Sequence, residues 1–262
     1  MESSDSTVIP AIFVGHGSPM NALDDNRYTR AWSDFAGSFR RPRVVLAVSA
    51  HWYVGATAIT TMDRPKTIHD FYGFPPELFA VEYPAPGSAA IAGEVIDALA
   101  GFWVGRDVDS WGIDHGTWSV LVHMYPDADI PVLQLSIDAT KDLEYHVNLG
   151  RALEALRHRG VLVMGSGNVV HNLGLIDWEL PDGGYDWARE FNEAAHEIFT
   201  TRPGDVTSLS NHPAYRRAVP TPEHLLPSFY VAGMAAAAGM TLERLVDGYA
   251  FGSLSMDSYV LR

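Results

Sequence analysis

The feature that most narrows the fold is a set of short apolar runs with no polar alternation. Val8–Val14, Val44–Ser49 (VVLAVS), Ile130–Ser136 (IPVLQLS) and Val161–Met164 (VLVM) are rich in β-branched residues. A strand with one wet face alternates polar and apolar residues, whereas a strand buried on both faces does not. These runs therefore predict strands inside a sheet covered on both sides. The segments between them read as helices, notably Ala89–Leu99 and Leu143–Arg157, the second stopping at Gly160. Further helices are expected around Trp187–Phe199 and after Thr221, with one or two closing strands in Tyr249–Leu261. The pattern predicts an α/β fold with a central, largely parallel or mixed sheet and helices on both faces. No repeat or low-complexity linker divides the chain, and 47% hydrophobic composition over 262 residues is enough for one core. A single domain over residues 1–262 is expected.

The histidines are placed unevenly on this pattern. His16 follows the first run (FVGHG), His51 the second (VVLAVSAHW), and His171 the fourth after a glycine-bearing turn (VLVMGSGNVVH). Ligands of open α/β sheets bind beyond the carboxyl ends of the strands, so a site is expected there. His224 is a further candidate in PTPEHLLP, with Thr221 as a helix cap and Pro222 at the first helical position. By spacing alone, a mononuclear metal site and a scatter of structural histidines both remain open.

Composition removes several alternatives. There is no cysteine, so thiolate metal sites, disulfides and a cysteine nucleophile are excluded, and any metal must be held by imidazole and oxygen. The net charge of −14 argues against nucleic acid or an anionic membrane as a partner. The N-terminal MESSDSTVIP lacks a basic and apolar leader, and the apolar run Phe229–Met240 is too short to span a bilayer, so a cytoplasmic protein is expected. The hydrolase elbow G-x-S-x-G, the Walker loop, G-x-G-x-x-G and H-E-x-x-H are all absent.

Seven blocks in chain order then acquire a common meaning: HGSPMNAL (16–23), SAHW (49–52), HDFYGFP (69–75), YPAPGS (83–88), DHGTWSVL (114–121), GSGNVVHNL (165–173) and PTPEHLLP (220–227). Together they resemble the 4,5-DOPA dioxygenase branch of the class III extradiol ring-cleaving dioxygenases, over about residues 9–240. The resemblance implies a single α/β domain and a non-haem Fe(II) site, often found filled with Zn(II) in purified protein. It implies a catechol, most readily L-DOPA, and O2 as substrates, with a seco-product that cyclises to betalamic acid. Carried over by block, it makes His16, His51 and His224 the metal ligands. His171 becomes the acid–base residue beside the metal, with a possible contact to it, and His115 lines the substrate side. More distant relatives use a glutamate as third ligand, which leaves Glu223 as the alternative to His224. Ser18 in the first block and His69, Tyr72 and Phe74 in the aromatic loop are candidate substrate contacts.

The remaining residues take plainer readings. Phe71 and Phe74 either cover the pocket or anchor their loop, and Arg216 and Arg217 either meet a substrate carboxylate or face solvent. His158 suits a helix C-terminus, His146 and His196 are expected to be exposed, and His123 and His212 carry no functional placement. Two rival functions stand: a zinc-dependent hydrolase using the same histidines, and a non-catalytic metal-binding interaction protein. A monomer or a small homo-oligomer is expected.

Overall fold

The computed structural model describes residues 8–262; residues 1–7, which hold most of the decapeptide read for targeting, lie outside the described residues. The central sheet has β1 (Ala11–Gly15), β2 (Val44–Ser49), β3 (Val132–Gln134), β4 (Val161–Gly167), β5 (Glu243–Val246) and β6 (Ser258–Leu261). Their spatial order is β5-β6-β1-β4-β2-β3. Strands β1, β4, β2 and β3 run parallel, whereas β6 is antiparallel to β1 and β5 to β6. The sheet is thus mixed with a parallel centre.

Alternate residues of each strand enter opposite cores, as the pleat requires. On one face, Ile12, Val14, Val45, Ala47, Leu162 and Met164 meet Trp32 and Phe35 of α1 (Arg27–Gly37) and Trp118 and Leu121 of α3 (His115–Met124), α2 being the helix Ala89–Ala98. On the other, Phe13, Leu46, Val48 and Val163 meet α2 together with α4 (Leu143–Leu153), α5 (Asp186–Thr201) and α6 (Leu226–Ala238). Full burial on both sides explains the missing polar alternation. Each buried Val, Leu or Phe contributes roughly 1.5–3 kcal/mol to holding the layers together.

Several sequence expectations shift at their edges. The first strand begins at Ala11 instead of Val8, because Pro10 has no N–H to give to a ladder. The third is confined to Val132–Gln134; beyond it the Leu135 and Ser136 amides turn to the carbonyls of Ala47 and Ala58 (both 2.8 Å). The fourth runs on to Gly167. Leu143–Arg157 splits into α4 and a 3-10 turn, Glu154–Arg159, that ends at left-handed Gly160. His146 is corrected outright: it is 1% exposed, in the interface of α4 and α6, with Nδ1 hydrogen bonded to Tyr230 Oη (2.9 Å). His196 is half-buried beside Tyr259, not exposed. Among the described residues no helix is long and apolar enough to cross a membrane.

The carboxyl ends of β1, β2 and β4 lie at one edge of the sheet, and the segments leaving them carry His16, His51 and His171.

Candidate metal centre

The turn after β1 fixes His16 first. Gly17 adopts φ +61°, a left-handed conformation that costs glycine little, and Asn21 Nδ2 donates to the His16 carbonyl (2.8 Å). His51 leaves β2 with its N–H on Ser49 Oγ (3.3 Å). His115 opens α3, whose cap is Asp114. That buried carboxylate accepts from Thr117 N (3.2 Å), Ser49 Oγ (2.7 Å) and Gln134 Nε2 (2.7 Å), tying β2, β3 and α3 together at one point.

His224 arrives differently from its sequence reading. Thr221 is not a side-chain cap, since its hydroxyl donates to Glu223 Oε1 (2.7 Å), and Pro222–His224 is a 3-10 turn ahead of α6. The His224 carbonyl accepts from Asn168 N (2.8 Å), and any Cβ on Gly167 would collide with that same carbonyl. Glycine there lets the turn lie directly on the end of β4. His171 donates its backbone N–H to Ala218 O (2.9 Å), and its ring stacks on His224 with centroids 3.5 Å apart.

Five imidazoles thus gather at the sheet edge. The His16 ring centroid lies 5.1 Å from that of His51, 5.5 Å from His224 and 5.8 Å from His115, with His51 and His115 only 3.9 Å apart. The ligand atoms of His16, His51 and His115 lie within 4.8 Å of one another, as do those of His171, Glu223 and His224.

Hydrogen bonding fixes which ring nitrogens face inward. Ser166 Oγ donates its only proton to the Gly116 carbonyl, so towards His16 Nδ1 (2.9 Å) it accepts. His51 Nδ1 faces Asp70 Oδ2 (3.1 Å), His115 Nδ1 faces Asp70 Oδ1 (2.9 Å), and His224 Nδ1 faces Glu223 Oε1 (3.2 Å). In each ring Nδ1 carries the proton and Nε2 is left as a lone pair. Yet His16 Nε2 and His51 Nε2 stand 3.3 Å apart. Two lone pairs tolerate that separation only with a cation between them, either an added proton or a metal ion. A set of neutral imidazoles with oriented outer partners suits a divalent transition metal.

Burial and mutual repulsion keep most of these rings neutral. Burial first, then the other histidines, hold His16 and His224 well below the ordinary histidine range. His115 is lowered by burial and then by His51, and burial brings His171 to about 4. His51 is the exception: burial pushes it down, but Asp70, Asp114 and Glu223 outweigh that and raise it. Burial opposes ionisation of Asp70, but its bonds from His115 and His51 prevail and hold its carboxyl below the usual range.

Other candidates fall outside the cluster. His69 Nε2 bonds to Val81 O (2.8 Å) and its ring packs near Trp118; Ser18 Oγ accepts from Met20 N (3.2 Å) as a cap. Tyr72 is 93% exposed, so it does not cover the site; the glycine that follows it is left-handed, at φ +77°. Phe71 is buried edge-on to His115 (5.5 Å) and carries Phe74 behind it (5.4 Å). Arg217 lies over the Trp187 ring (4.8 Å). Sequence reading missed Asp70 and Ser166 as partners of the rings. Asp70 stands next to the histidine of its own block, and only the tertiary fold reveals that the acid, not that histidine, reaches the cluster.

A family model for the catalytic LigB subunit of aromatic ring-opening dioxygenase matches residues 9–259. The chain belongs to the LigB family. Its fold is that of a LigB protein, and its enzyme class is aromatic ring-opening dioxygenase. Among LigB relatives, 4,5-DOPA dioxygenase extradiol of Escherichia coli (strain K12) is 47% identical over 96% of this chain and 94% of its own length. The protein of that name from Beta vulgaris is 34% identical over 98% and 97%. A crystal structure of an uncharacterized protein from Escherichia coli K12 superposes with TM-score 0.85 at 41% identity, covering 97% of this chain and all of that one.

Proposed function

We propose that this LigB-family chain is an Fe(II)-dependent extradiol dioxygenase that opens L-DOPA at the 4,5 bond, giving a seco-acid that cyclises to betalamic acid. The observation that carries the proposal is the pair of inward lone pairs at His16 and His51, 3.3 Å apart, with His224 beside them. The names of the relatives that cover nearly the whole chain support the substrate.

His16, His51 and His224 would hold the metal. Glu223, whose Oε1 already serves Thr221 and His224, acts as the partner that orients the third ligand. Bound Fe(II) would supply open coordination positions and the one-electron chemistry that lets a catechol react with dioxygen. His115 keeps its Nδ1 proton on Asp70 and so offers Nε2 to a phenolic proton. Among the described residues the ring nitrogens of His171 have no hydrogen-bond partner, and that ring is assigned to accepting and returning a proton during ring opening. Phe71, against His115 with Phe74 packed behind it, keeps water from the His115 side.

The test is anaerobic reconstitution with Fe(II), followed by oxygen uptake and product spectra with L-DOPA, caffeate and protocatechuate. L-DOPA is expected to drive the fastest uptake and to give a yellow product. An iron-filled protein that consumes no oxygen with any of the three overturns the proposal.

A further inference from the structure

One carboxylate serves two rings of different assignment. Asp70 Oδ2 takes the Nδ1 proton of His51 (3.1 Å), while Oδ1 takes that of His115 (2.9 Å) and the His115 backbone N–H (3.0 Å). Three donors meet one side chain that forms no ion pair with an arginine or lysine among the described residues. We infer that Asp70 is a shared positioning residue, fixing a metal ligand and the substrate-side histidine in the same tautomer at once.

The inference rests on the assignment of His51 as ligand and His115 as pocket residue. Were Asp70 oriented to one ring only, the other could carry its proton on either nitrogen. With both oxygens engaged, His51 Nε2 and His115 Nε2 are lone pairs together. An amide in place of the acid cannot accept on both sides. The backbone N–H of His115 cannot change its proton, so the amide oxygen of an Asn stays on that side, with two donors. The amide NH2 then faces His51 Nδ1, which must become an acceptor and move its proton to Nε2, towards His16. The loss therefore falls on the metal ligand first. Asp70 also sits between Ile68, whose carbonyl accepts from Trp118 Nε1 (2.8 Å), and buried Phe71, so the acid is carried on an anchored segment and not on a loose tip.

The experiment is a zinc titration of the wild type and Asp70→Asn against a chromophoric chelator, with folding checked by thermal denaturation. Asp70→Asn is expected to bind zinc about 10–100-fold more weakly, the usual cost of losing the outer partner of a ligand histidine. Equal affinity of wild type and Asp70→Asn overturns the inference and leaves the metal assignment standing. A wild type that binds no divalent metal overturns the assignment itself. Should Asp70→Asn fail to fold, long-range ¹H–¹⁵N spectra of the zinc-loaded wild type decide: protonated Nδ1 on both His51 and His115 is expected, and an Nε2 proton on either ring contradicts it.

Discussion

The imidazole of His171 lies flat on that of His224, with centroids 3.5 Å apart and planes 5° from parallel. On the proposed assignment His224 would hold the metal and the stacked ring of His171 would carry a proton beside it.

His171→Asn is expected to keep metal affinity close to that of the wild type while kcat falls by roughly 10²–10⁴-fold, the usual range for losing an acid–base group. Metal titration and steady-state oxygen uptake check the split. A parallel loss of metal would make His171 a ligand.

Glu223 and His224 are separable by the same titration. Glu223 Oε1 receives the Thr221 hydroxyl and faces His224 Nδ1, so on the proposed assignment it would orient the third ligand from behind. Glu223→Gln is expected to weaken metal binding by about tenfold or less and His224→Ala by much more. The reverse order would make Glu223 the third ligand.

Gly167→Ala tests the contact that brings His224 to the sheet. The added methyl group meets the His224 carbonyl, a backbone atom that cannot swing aside. Destabilisation of roughly 1–3 kcal/mol by denaturant unfolding is expected, together with weaker metal binding.

His146 gives the fold a pH dependence of its own. Burial lowers its pKa from 6.5 to about 4, although Asp138 and Asp142 pull it back up. The unfolded chain therefore binds a proton that the folded chain refuses between those values. Stability from this group is complete above pH 6.5 and falls as the pH drops towards 4, by roughly 3 kcal/mol at most. Urea unfolding across that window should show a shallower slope for His146→Gln than for the wild type. Equal slopes would place the acid sensitivity elsewhere.

The sheet was legible because strands buried on both faces cannot hide their composition: VVLAVS and VLVM carry no polar residue until Ser49 and Gly165 end their apolar runs. His16, His51 and His171 were legible as a group because each follows such a run. Asp70, Ser166 and Gln134 were not, since their partners lie 45, 150 and 20 residues away in the chain. His146 misled for the opposite reason. Its polar neighbours suggested a wet face, but packing of α4 on α6 and the Tyr230 hydroxyl give it a buried berth.

The most direct test of the central claim is isotopic. Fe(II)-loaded protein is mixed with L-DOPA under ¹⁸O₂, and the ring-opened product is trapped before it cyclises and analysed by mass spectrometry, with His16→Ala as control. Incorporation of both labelled atoms by the wild type and none by His16→Ala is the expected result. Unlabelled or unopened L-DOPA from an iron-filled wild type would contradict it.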